Sequence, residues 1–322
     1  MSRPTQTLTL SLGALVLATL TACKPAENRT PDNTAAAKPR IALVMKSLAN
    51  EFFLTMENGA KNHQQTHATT YDLVANGIKD ELDVGRQIDL VEQMIAQKVN
   101  AIIIAPADSK ALIPVCKKAH DNGIVVVNID NQFDTEVLKA SNAAFPFVGP
   151  DNRKGARMVG DYLASKLGPN APVAIIEGAP NAFNAVQRRL GFEDAATNAS
   201  LNIVASQSGY WETEKANGVA AAILTEHPEI QAFLCANDSM ALGVVAVLRA
   251  AGQLGKIQIV GYDNIGPMQE LLKTGQVLAT ADQHADQLAV FGIEYALEIL
   301  KTGNPPANRE TPVDLIVAPA RN

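Results

Sequence analysis

The sequence predicts an α/β protein made of two similar lobes, each a doubly wound parallel sheet. Three observations point there. Short apolar runs rich in Ile, Val and Ala alternate with stretches of helical spacing, the pattern of a parallel sheet covered on both faces. A hexamer recurs: Ala107-Asp108-Ser109-Lys110-Ala111-Leu112 matches Asn237-Asp238-Ser239-Met240-Ala241-Leu242 at an offset of 130 residues. Each copy follows an apolar strand and opens a helix. A second match follows in the same order, Val127-Asn128-Ile129-Asp130-Asn131 against Val260-Gly261-Tyr262-Asp263-Asn264, at an offset of 133. Two ordered matches in one context indicate a duplicated unit, in which Asp108 and Asp238 are expected to cap their helices.

The elements read in order as follows. Residues 41–45 (IALVM) form a buried strand, and 51–66 a helix with Phe52, Met56 and Ala60 on one face. Tyr71 to Ala75 is a strand, 84–97 a helix, 101–105 a strand, 111–120 a helix and 124–128 a strand. After residue 150 come helix 151–167, strand 172–177, helix 181–198, strand 201–206, helix 212–226, strand 231–235, helix 239–251 and strands 257–261 and 277–281.

Composition narrows the function. The 322 residues allow about two domains. A net charge of −6, from 33 acids and 27 bases, gives no electrostatic footprint for nucleic acid. Three cysteines exclude a disulfide scaffold and a Cys/His zinc array; Cys116 and Cys235 read as buried packing residues in different lobes. No Gly-x-Gly-x-x-Gly or Gly-x-x-x-x-Gly-Lys motif follows a strand, and no cofactor is expected.

The N-terminus carries an address. Arg3 precedes an apolar run from Leu8 to Leu20, too short for the ~20 residues of a spanning helix but suited to a secretory signal. The run ends in Leu20-Thr21-Ala22-Cys23, which resembles the bacterial lipobox. Residues 1–22 are then a signal peptide, Cys23 is the lipidated N-terminus, and the polar, Pro- and Ala-rich 23–39 is a flexible tether. The mature protein is expected in the periplasm or on the cell surface, held to a bacterial membrane.

In open parallel sheets, ligands bind beyond the carboxyl ends of the strands. The residues there are Lys46, Asn50, Phe52 and Phe53 after the first strand, Asp130 and Asn131 after 124–128, Asn237 after 231–235, Asp263 after 257–261, and Asp282 and Gln283 after 277–281. Carboxylates accept from hydroxyls, amides both donate and accept, and aromatic faces cover sugar C–H faces. The set suits a neutral polyhydroxylated ligand.

Six stretches carry a resemblance over residues 40–318: IALVMKSLANEFF (41–53), IIIAPADSKAL (102–112), ASQSGYW (205–211), HPEIQAFLCANDSMALG (227–243), VGYDN (260–264) and ATADQHADQ (279–287). With them the chain resembles the periplasmic sugar-binding proteins of ABC importers, in the cluster typified by ribose-binding protein. The fold this implies, the type I periplasmic binding protein, is shared with the effector domains of LacI-type repressors. It implies sugar contacts from Asn50, Phe52, Phe53, Asp130, Trp211, Asn237, Asp263 and Gln283, with Phe53 and Trp211 on opposite lobes. Arg188 matches an Arg-x-x-Gly-Phe pattern. The family pattern has serine at Lys46, arginine at Asn131 and a second arginine at Val186, and Asn184 is expected to supply a compensating amide. These departures favour "neutral monosaccharide or small polyol" over ribose alone.

The resemblance also implies a three-stranded hinge. Residues 40–150 plus 284–312 form one lobe; 151–283 plus 313–322 form the other. The protein is expected to be a monomer that closes on its sugar and presents it to an ABC permease, without turnover. A sensor subunit for a chemoreceptor or histidine kinase and an extracytoplasmic carbohydrate enzyme are the alternatives. His63 and His67 are expected on a solvated polar face, and Glu177 in a structural role at a strand end. No helix-turn-helix precedes residue 41, which argues against a repressor.

Overall fold

The computed structural model describes residues 38–319. The signal segment, Cys23 and all but the last two residues of the tether lie outside them.

The first sheet contains β1 (Arg40–Ser47), β2 (Asp72–Ile78), β3 (Ala101–Ile104), β4 (Val125–Ile129) and β5 (Phe147–Pro150), joined late in the chain by β11 (Arg309–Thr311). Its order is β11-β5-β4-β3-β1-β2, all parallel. The first lobe's helices are α1 (Glu51–Thr66), α2 (Val84–Ala96), α3 (Ile113–Asp121) and α4 (Thr135–Ala140). The second sheet contains β6 (Pro172–Glu177), β7 (Asn202–Ser208), β8 (Ala232–Cys235), β9 (Gln258–Val260), β10 (Ala279–Asp282) and β12 (Asp314–Val317). Its order, β12-β10-β9-β8-β6-β7, repeats the first strand for strand, except that its terminal strand β12 runs antiparallel. The helices α5 (Asn152–Ala164), α6 (Phe183–Asn198), α7 (Thr213–Glu226), α8 (Asp238–Ala250) and α9 (Gly266–Lys273) belong with it. The last helix, α10 (Ala285–Thr302), packs on α1, β3 and β4 of the first lobe.

The alternation in β1 shows why both faces must be covered. Ile41, Leu43 and Met45 join one apolar core, whereas Ala42 and Val44 join a second core under α2 and α3. All five are fully buried. A strand that buries both faces reads as an unbroken apolar run.

The chain passes between the sheets three times: from β5 into α5, from β10 into α10, and from β11 into β12. These crossings join two α/β lobes, each with its strand ends directed at the cleft between them. Several strands continue past their apolar runs: β2 extends to Ile78 through Asn76 and Gly77, and β7 to Ser208.

One expectation needs correcting. Asp108 caps its turn, its Oδ1 accepting from the amides of Lys110 and Ala111 at 2.7 and 2.8 Å. Asp238 does not cap α8. Asn237 holds the extended N-cap conformation and accepts from Met240 N at 2.9 Å. Asp238 is one position inside the helix and fully buried, where its oxygens accept from Thr280 Oγ1 at 2.7 Å and Ile265 N at 3.1 Å. It ties β10 and the loop before α9 to the start of α8.

Candidate functional site

The strand ends of the two lobes line one small cavity. Its walls are Lys46, Asn50, Phe52, Phe53, Glu81 and Asp130 from the first lobe, and Asn184, Arg188, Trp211, Asn237, Asp263 and Gln283 from the second. The structure thus brings together every residue expected at the site except Asn131 and Asp282, and adds Glu81; Asp282 instead accepts from Asn264 Nδ2 at 2.9 Å and from the His284 amide at 2.8 Å.

Backbone geometry aims these groups. Asn50 and Asn237 are N-caps of α1 and α8, so each uses its Oδ1 on a helix amide and keeps its amide nitrogen for other partners. Asp130, Trp211 and Asp263 have φ of 61°, 70° and 121°. Non-glycine residues rarely occupy that region, and such strain collects at functional sites. Trp211 lies against Gly178, where any Cβ would overlap the indole.

Each lobe holds one carboxylate with a cation. Lys46 Nζ is 3.3 Å from Asp130 Oδ2, and both side chains are almost wholly buried. Arg188 Nη1 is 3.5 Å from Asp263 Oδ1, which also accepts from Gln283 Nε2 at 2.7 Å. Arg188 is fixed from behind: its Nε donates to Asn152 Oδ1 at 2.8 Å and its Nη1 to the Ala236 carbonyl at 2.9 Å, with the guanidinium over the Tyr262 ring. Burial pushes the Asp263 carboxyl well above the usual range, with Arg188 pulling it back down. Burial also raises Glu81, to about 7, against the opposing charge of Lys46 and a hydrogen bond from Asn50. Phe52 and Phe53 meet edge to face, and Lys46 Nζ lies 5.6 Å from the Phe53 and Trp211 ring centres.

Five of the wall residues present a buried polar atom with no hydrogen-bond partner: Glu81 Oε2, Asp130 Oδ2, Asn184 Oδ1, Gln283 Oε1 and Trp211 Nε1. Asp130 Oδ2 has only the Lys46 ion pair. Leaving such a group unpaired costs about 1–3 kcal/mol. Four acceptors and one donor around one small space match a guest with several hydroxyls, each able to donate or accept. Lys46 and Arg188 balance the two aspartates, which suits a neutral guest.

Asn131 stands behind this wall. Its Nδ2 donates to the Pro106 carbonyl and to Ser109 Oγ, and its Oδ1 accepts from the Asn184 backbone amide at 3.1 Å. Sequence reasoning placed it beside Asp130 in the cavity, but the two neighbours point to different partners. The sequence pattern ends β2 at Ala75, short of Glu81; the strand runs on to Ile78, and from that end the strand-end rule reaches Glu81.

The remaining candidates have structural roles. His63 and His67 stack at 4.0 Å between ring centres, with His63 Nδ1 3.0 Å from Tyr71 Oη. Glu177 accepts from Ser206 Oγ and faces Arg189. Cys116 and Cys235 are free, buried thiols.

This architecture and sequence have close counterparts. The periplasmic binding protein domain matches residues 41–305. A D-ribose/D-allose-binding protein of Pseudomonas aeruginosa is 59% identical over 286 residues, covering 88% of this chain and 90% of that protein. The D-allose-binding periplasmic protein of Escherichia coli is 33% identical, with 84% and 87% coverage. Among solved structures, an ABC transporter solute-binding protein from Burkholderia multivorans shares 58% identity with a TM-score of 0.86, covering 88% of this chain and all of that one. A periplasmic solute-binding protein from Actinobacillus succinogenes with bound D-allose gives a TM-score of 0.83 at 37% identity, covering 87% of this chain and 98% of that one. With the domain spanning most of its length and relatives this similar in sequence and in fold, the chain belongs to the periplasmic binding protein family.

Proposed function

We propose that this protein captures a neutral monosaccharide or small polyol, of the ribose and allose class, between its lobes and delivers it chemically unaltered to the permease of an ABC importer. The observation that carries the reading is the ring of five unpaired, buried polar atoms around one cavity walled by both lobes. A polyhydroxylated guest satisfies them together, and only when the lobes meet. Phe53 and Trp211 then cover the ring faces, while Asp130 and Asp263 accept from hydroxyl pairs. The names of the relatives from Pseudomonas aeruginosa and Escherichia coli support the sugar class.

In this reading residues 40–150 with 284–312 and residues 151–283 with 313–322 move about the three crossings, and sugar favours closure by its greater affinity for the closed form. The aspartates act as binding acceptors held by Lys46 and Arg188 rather than as an acid–base pair, so the protein performs no turnover and works as a monomer. Residues 1–22 direct export, and Cys23 carries the lipid that holds the tether to the membrane. Labelling with palmitate, lost in Cys23→Ala, tests the anchor.

Trp211 is the chain's single tryptophan. Its emission is expected to respond saturably to D-ribose, D-allose or myo-inositol, with matching heat in calorimetry. Silence in both measurements across pentoses, hexoses and polyols overturns the reading.

A further inference from the structure

We infer that the closed form is held by helix caps supplied across the cleft: Ser109 and Asn131 of the first lobe cap α6 of the second, and Glu51 caps α9. The inference rests on the sugar-capture reading in one respect, since it needs the lobes to part and meet.

A helix begins with amides that have no intrahelical acceptor, and a Ser, Thr, Asp or Asn at the N-cap normally takes one of them. The helices α1, α2, α4, α5 and α8 follow this rule through Asn50, Asp83, Asp134, Asp151 and Asn237. Among the described residues, α3, α6, α7, α9 and α10 have no such cap. At two of these, α6 with N-cap Ala182 and α9 with N-cap Ile265, the first amides find their acceptors on the opposite lobe. Phe183 N donates to Ser109 Oγ at 2.9 Å and Asn184 N to Asn131 Oδ1 at 3.1 Å. Gly266 N donates to Glu51 Oε1 at 2.8 Å, and the next residue of α9 is Pro267, which has no amide hydrogen to satisfy. Beside the first cap, Ser109 N donates to the Asn181 carbonyl at 3.1 Å and Asn181 Nδ2 to Asp108 Oδ2 at 2.8 Å.

When the lobes separate, these three amides pass to water. They are not stranded, so opening remains accessible, but each cap favours closure whether or not a sugar is present. Cap removal typically changes an equilibrium by about 2- to 30-fold. A binding site whose competent form is less populated loses apparent affinity in proportion. Asn131 has a second effect. By fixing the Asn184 backbone it sets where the unpaired Asn184 Oδ1 enters the cavity, which makes it a positioning residue.

The test uses the mature chain and whichever of D-ribose, D-allose or myo-inositol gives the wild type its largest Trp211 response. In stopped-flow fluorescence, Glu51→Ala and Ser109→Ala are expected to release sugar about 3- to 10-fold faster, with association little changed. Glu51→Gln, which keeps an acceptor oxygen, is expected to restore slow release. The sharpest variant is Ala182→Ser. Its extended backbone, φ −102° and ψ 126°, suits a cap. A hydroxyl there caps α6 within its own lobe and stabilises the open form, so Kd rises severalfold while Tm is unchanged or higher. A merely structural role predicts instead that affinity falls only where Tm falls. Release rates within twofold of wild type in Glu51→Ala, Ser109→Ala and Ala182→Ser overturn the inference. A wild type that binds no sugar defeats the sugar-capture reading instead. Small-angle scattering then decides the caps alone: more extended Glu51→Ala and Ser109→Ala proteins support them, and unchanged scattering overturns them.

Discussion

Asp108 and Asp238 occupy equivalent places in two copies of one structural unit, and their surroundings differ sharply. Asp108 is half-buried, caps its own turn and reaches Asn181 of the other lobe. Asp238 is fully buried, leaves the cap to Asn237, and binds Thr280 and Ile265 instead. Burial pushes its carboxyl up to about 7, although the bonds it accepts favour the ionised form. The second aspartate pair diverges in the same way. Asp130 faces a lysine set between the Phe53 and Trp211 rings, whereas Asp263 faces an arginine held by Asn152 and the Ala236 carbonyl. Repetition preserves where the backbone turns; burial and the neighbouring cation decide what the carboxylate does there.

The largest effect that would sharpen this comparison is at Asp263. Asp263→Ala is expected to weaken sugar binding on the order of 100-fold or more in calorimetry, because charged hydrogen bonds are worth about 1.5–3 kcal/mol each. The fold should survive, since Arg188 keeps its two other partners. Retained affinity would show that the second lobe's carboxylate is not an acceptor for the sugar.

A smaller contrast separates the first pair by stability. Asp238→Ala is expected to cost about 3 kcal/mol by stranding buried donors, and Asp108→Ala about 1 kcal/mol as a lost cap, both read by urea unfolding. Asp238 should also show in the pH dependence of stability. A carboxyl raised from about 3.9 unfolded to about 7 folded binds more protons in the native state, so its contribution to stability is full below about pH 4 and is lost as pH rises through 7. Glu81 acts in the same direction. Wild-type stability is expected to decline between pH 5 and 8, with a shallower decline in Asp238→Asn. Equal costs for the two alanine variants, or an unchanged slope in Asp238→Asn, would erase the distinction.

The fold was legible because β-branched runs buried on both faces cannot be mistaken for loops. The sequence pattern does not mark β5, β11 and β12, which are short segments with Pro or charged residues; β11 and β12 pair at sheet edges to which the crossings deliver them, and β5 is held between β4 and β11. At the site, Asn50, Asp130, Asp263 and Gln283 directly follow apolar runs, so the strand-end rule finds them. Trp211 does not end an apolar run, and only the family resemblance reached it. Glu81 was hidden by the polar tail of β2. The capping roles of Asn131 and Ser109 are illegible for a different reason: their partners lie on the other lobe, and contacts that form only when distant segments meet leave no local pattern.

The floor beneath Trp211 limits how this cavity can be remodelled. Because Gly178 leaves no space for even a methyl group under the indole, the height of that wall is set by a single hydrogen atom. Engineering a new specificity therefore has its freedom at Asn184 and Gln283, whose amides can be exchanged, while residue 178 must stay as it is for the aromatic lid to keep its place.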